Sequence, residues 1–138
     1  MGILILMSLF WGVAKTPFAQ EKQVSKVPIQ TSPANSGPEM FKQYCAACHG
    51  PRGKGDGPAA SELKQAPADL TTLAKRHDGK FPGSYVASVL RFGVKEPAHG
   101  SSEMPVWGPL FSSLNQGQSN VDMRIANLTS YIKSLQVN

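Results

Sequence analysis

The chain has 138 residues, a formal net charge of +5, and is 41% hydrophobic and 17% charged. That length suits one small domain plus extras, and 13 glycines with 11 prolines favour short helices joined by long turns over a regular sheet protein. The positive balance raises nucleic-acid binding, but no basic cluster interleaves with aromatics and no nucleic-acid module is recognisable, so that class is excluded.

Residues 1–19 read MGILILMSLFWGVAKTPFA. The apolar run from Ile3 to Val13 is far below the roughly 20 residues a spanning helix needs. It fits the apolar core of an export signal, with Ala14 or Ala19 as cleavage points. No positive charge precedes the run and Lys15 lies beyond it, which a start codon assigned too far downstream would explain. An uncleaved anchor is the alternative, and membrane association is expected only if the segment is retained. Residues 20–36 are polar, with Pro and Ser and no apolar periodicity, as in a flexible linker. The folded domain is expected over 37–138.

That domain opens on Ser36-Gly37-Pro38-Glu39, a capping box with proline suited to a first helical turn. The predicted helix carries Phe41 and Tyr44 on one face, leads into Cys45 and stops at Gly50. The next segment, GPRGKGDGP over 50–58, must be a tight loop. It is not a phosphate loop, since it lacks the G-x-x-x-x-G-K-[ST] order and follows a helix. Residues 58–65 and 69–77 read as short helical pieces. Pro82 to Phe92 form a better helix, with Tyr85, Val86, Val89 and Leu90 in helical spacing and Gly93 as its stop. From Gly93 to Gly108 the chain reads as loop. The last helix is expected from a capping box at Ser119–Asp122, with Ile125, Leu128, Ile132 and Leu135 as its apolar stripe.

The chemistry sits in Cys45-Ala46-Ala47-Cys48-His49, which holds both cysteines of the chain. C-x-x-C-H is the pattern for covalent attachment of a c-type haem. Residues three apart share a helix face, so two thiols can reach the two vinyl groups of one porphyrin while His49 meets the iron. A thioredoxin-type redox pair expects a βαβ setting that is missing here. A zinc site needs four ligands, and His77 and His99 have no partner at ligand spacing. A disulfide across one turn would close a tiny loop and constrain little. The second axial position has Met104, His77, His99 or nothing as candidates. Met104 lies in an extended segment and precedes a proline that biases it away from helical geometry. Met40 is too near the first cysteine and Met123 starts the last helix.

The order C-A-A-C-H-G, G-K-G-D-G-P-A, A-D-L, M-P-V-W and a C-terminal amphipathic helix resembles the small class I cytochromes c of bacteria, over nearly all of 37–138. The resemblance implies an all-α cytochrome c fold, with short helices and loops around one covalently bound haem c and crossing N- and C-terminal helices, Phe41 near Tyr131. It implies thioether links at Cys45 and Cys48, His49 as proximal and Met104 as distal ligand, and Pro58 in the loop whose carbonyl orients the His49 imidazole. Trp107 would pack near the haem or line its pocket, although core packing accounts for it equally well. The stretch Val94–Ser102 is longer than in the shorter members.

With His and Met ligands the iron has no vacant position, which suits outer-sphere electron transfer. No nucleophile or general base stands in a convincing arrangement, so the chain is not expected to be an enzyme. The expected function is a periplasmic one-electron carrier between respiratory partners. The alternatives are a haem-based ligand-binding or sensing module with a labile Met104, and a small cytochrome subunit of a larger oxidase or dehydrogenase complex. If Lys42, Lys54, Lys64, Lys75, Lys80 and Lys95 ring the haem edge, they would steer an acidic redox partner; a solvated mixed surface is the plainer reading.

Overall fold

The computed structural model describes residues 31–94, 103–114 and 117–137, with the side chains of 117–119 left aside. The signal-like segment, most of the linker, and residues 95–102 with Lys95 and His99 lie outside the described residues. Among the described residues the chain forms α1 (Gly37–Tyr44), α2 (Ala46–His49), α3 (Gly83–Phe92), α4 (Trp107–Ser113) and α5 (Gly117–Ser134). Three 3-10 turns lie at Ala60–Glu62, Leu70–Thr72 and Lys75–His77. No strand occurs among the described residues, in keeping with the all-α expectation.

The Ser36 cap forms: its hydroxyl accepts the Glu39 N–H at 3.4 Å, and Pro38 sits in the first turn, where its missing N–H costs nothing. The helix does not run unbroken to Gly50. It breaks at Cys45, whose N–H still donates to the Phe41 carbonyl at 2.9 Å while its own carbonyl accepts the Cys48 and His49 N–H groups at 3.2 and 2.9 Å. Gly50, at φ +76°, then ends α2 in a conformation that disfavours a Cβ.

α1 crosses α5 closely. A Cβ at Gly37 would come within 2.5 Å of the Asn127 carbonyl oxygen, so only glycine allows this approach. One turn on, the Phe41 and Tyr131 rings meet at 5.2 Å and 57°, the pairing the resemblance implies. α5 buries Val121, Ile125, Leu128 and Ile132, at steps of three and four, against Met40 and Phe41 of α1, Val86 and Leu90 of α3, and Trp107 and Phe111 of α4. Each such side chain contributes about 1.5–3 kcal/mol by leaving water. An Arg91–Asp122 ion pair at 2.6 Å joins α3 to α5 at the surface; exposed pairs of this kind contribute about 0–1 kcal/mol. Arg124 also lies in the apolar seam, 1% exposed, with its guanidinium 5.6 Å from the centre of the Phe111 ring, within cation–π range.

Three expectations differ from the observed fold. The end of the predicted linker is packed: Ser32 is buried, its N–H donates to the Tyr44 hydroxyl at 3.1 Å, and the Asn127 amide donates to the Ala34 carbonyl at 3.0 Å. The segment read as loop up to Gly108 already enters α4 at Trp107. α5 begins at Gly117, two residues before the expected cap at Ser119.

Candidate functional site

Behind α1 and α2 lies a cavity of about 560 Å³, inside the roughly 300–1,000 Å³ range of cofactor pockets. Cys45, Cys48 and His49 border it from the α1–α2 break. Leu63, Gln65 and Ala66–Ala68 form a second wall, α3 a third through Tyr85, Val86, Val89 and Leu90, and Glu103–Pro105 with Trp107 a fourth. His49 and Met104, 55 positions apart in sequence, thus border one largely apolar space.

The break at Cys45 sets the local geometry. Cys45 is 7% exposed, and burial, with Cys48 beside it, pushes its thiol up to about 12. The reactive form of a cysteine is the thiolate, so a thiol protonated across the physiological range is the opposite of what a disulfide-exchange centre requires. Cys45 and Cys48 are not joined to each other by a disulfide.

The His49 ring is held from behind. Its Nδ1 lies 3.0 Å from the Ala68 carbonyl oxygen; a carbonyl only accepts, so Nδ1 carries the proton and the lone pair is left on Nε2. Burial holds the imidazole below its ordinary pKa, against the opposing pull of the Ala68 carbonyl. A neutral imidazole with one nitrogen anchored to a backbone carbonyl is the form that ligates a metal.

The orienting carbonyl is therefore Ala68's and does not come from the loop around Pro58. That loop folds back on α2: the Gly55, Gly57 and Ala59 N–H groups donate to the carbonyls of His49, Cys48 and Ala47 at 2.8, 3.0 and 2.9 Å. Its polar groups are spent on the open carbonyls of a four-residue helix, and Pro58 stands outside the cavity wall. Ala68 in turn is fixed by its neighbour. The Asp69 carboxylate accepts the Thr71 N–H at 2.8 Å and the Thr71 hydroxyl at 2.6 Å, and its backbone carbonyl accepts an Arg76 N–H at 2.6 Å. A backbone carbonyl leaves no mark in a sequence; the nearest signal is the Ala68-Asp69-Leu70 element.

Of the sixth-ligand candidates, Met104 and His77 both border the cavity. Met40 is fully buried in the core and Met123 is 42% exposed on α5. The His77 ring lies 6.4 Å from that of Tyr85. Trp107 lines the cavity and is also packed into the core, its ring 5.5 Å from both Tyr44 and Phe111.

Comparison with known families matches the chain to the cytochrome c model over residues 34–136. None of the curated proteins and none of the solved structures compared with the chain matches it. The matched span begins at the packed Ala34 and contains every helix described above. The chain belongs to the cytochrome c family, has its all-helical fold, and is thereby a haem c protein of electron transfer.

Proposed function

We propose that this chain is an exported, periplasmic carrier of single electrons that holds one haem c through Cys45 and Cys48. The observation that carries the reading is the cavity itself, where the C-x-x-C-H side chains and Met104 border one apolar space large enough for a cofactor. Bound haem iron moves between ferric and ferrous states and so takes up and gives away one electron.

Cys45 and Cys48 would hold the group through thioether bonds at the α1–α2 break. His49 would offer it Nε2, kept in one tautomer and one orientation by Ala68. Met104 would offer a sulfur, a soft donor that favours the ferrous state and raises the potential. The Leu63, Val86, Val89 and Leu90 side chains line the site, and apolar walls of this kind work in the same direction by disfavouring extra positive charge. The partners are redox proteins with acidic docking faces, matching a chain of net charge +5. Export rests on the apolar run Ile3–Val13 and the small residues after it, and the mature N-terminus determined by mass spectrometry tests it.

The decisive experiment is the absorption spectrum of the oxidised haem-loaded protein. A far-red charge-transfer band, diagnostic of sulfur on ferric iron, is expected in the native protein and absent from Met104→Ala. Haem attached without that band would leave the sixth position open or filled by another residue, and would move ligand binding to first place.

A further inference from the structure

We propose that Glu103 is a positioning residue for Met104, acting as a clasp between two walls of the cavity. The Glu103 carboxylate accepts the backbone N–H of Lys64 at 3.0 Å, across 39 positions of sequence. Lys64 lies within the wall made by Leu63, Gln65 and Ala66, and Glu103 begins the wall that carries Met104. This hydrogen bond therefore ties together two segments that both border the cavity. It is a bond to an ionised acceptor, the stronger class.

The placement of Met104 shows why such a clasp matters. Downstream, the chain is fixed by packing: Val106 lies against Gly93 at the end of α3, and Trp107 is buried beside Tyr44 and Phe111. Pro105 restricts Met104 from that side as well. Upstream, the residue adjoining Met104 is Glu103, whose carboxylate holds the Lys64 backbone N–H. Met104 is thus pinned at one end by buried side chains and at the other by a surface hydrogen bond. The bond uses a backbone donor, so the identity of Lys64 is not what is read.

The inference rests on Met104 being the sulfur ligand. The test titrates the oxidised, haem-loaded protein with imidazole, which competes for the sixth position, and follows loss of the far-red band. Glu103→Ala removes the acceptor and is expected to raise the apparent affinity for imidazole about fivefold, the scale of one exposed hydrogen bond. Glu103→Gln keeps an amide oxygen that accepts from Lys64, and is expected to stay within about twofold of the native protein. Gly37→Ala, destabilised far from the cavity wall, is expected to leave imidazole affinity unchanged.

Native affinity in Glu103→Ala overturns the clasp, as does a Glu103→Gln variant no better than Glu103→Ala, or an equal gain in Gly37→Ala. A far-red band that survives Met104→Ala removes the ligand assignment and the clasp with it. A band lost in Met104→Ala, with Glu103→Ala unchanged, removes the clasp alone.

Discussion

Asp69 is a half-buried carboxylate on which the orientation of the site depends through its neighbour. Its hydrogen bonds to Thr71 close the turn that points the Ala68 carbonyl at His49. The Thr71 hydroxyl, first among the causes, holds the Asp69 carboxyl below the usual carboxylate range, with Arg76 and Lys54 assisting. A depressed pKa in the folded state means stability that is present above the unfolded value and lost as pH falls through the folded one. Asp69→Ala should therefore destabilise the protein by about 0.5–2 kcal/mol near neutral pH, the range for a lost cap. The difference from the native protein should shrink once pH falls below about 4. Denaturant unfolding at a series of pH values checks both statements; a difference constant down to strongly acidic pH would contradict the assignment. At this scale the sequence was legible where chemistry is local. C-x-x-C-H is read from five consecutive residues. The Ala68 carbonyl was not legible, because its role depends on where the chain returns in space, and the Pro58 reading failed for the same reason: hydrogen-bond needs of α2 outranked those of the ring.

Among the elements, the α1–α5 crossing is set by Gly37. Its replacement by alanine places a methyl group against the Asn127 carbonyl, a backbone atom that has little room to give. Gly37→Ala should cost about 1–3 kcal/mol, as overpacking does, seen as a lower denaturant midpoint with an unchanged slope. No change in midpoint would mean that the two helices separate at little cost. α5 was readable because Ile125, Leu128 and Ile132 keep a 3.6-residue period over several turns. α4 was missed since Trp107-Gly108-Pro109 reads as a breaker, whereas Pro109 falls in a first turn that has no intrahelical partner for its nitrogen. Arg124 was hidden by its type: periodicity places it on the buried side of α5, but an arginine there reads as surface until Phe111 is seen beneath it.

For the whole molecule, the cavity of about 560 Å³ borders side chains of α1, α3, α4 and α5 that pack in or against the core. A group that binds only the folded state stabilises it, so the fold and its cofactor are thermodynamically one unit. Cys45→Ser/Cys48→Ser, which cannot form thioethers, is expected to lack covalent haem. Freed of haem, it should lose fixed aromatic packing, with weakened near-ultraviolet circular dichroism and binding of a hydrophobic dye. A haem-free variant with native near-ultraviolet circular dichroism would show that the helices need no filling. The net charge of +5 gives a second expectation at this scale. Reduction by an anionic small-molecule reagent should slow as ionic strength rises, and reduction by a cationic one should quicken. Equal, salt-independent rates would mean that the positive charge is spread away from the exposed haem edge.

The position of Cys45 also bears on the order of assembly. The residue borders the cavity yet is only 7% exposed, so in the closed fold little of its sulfur is within reach of another protein. If haem is joined there, the bond is more easily made on a chain whose α1 and α5 have not yet packed. The closed fold would then act as a seal on a finished bond.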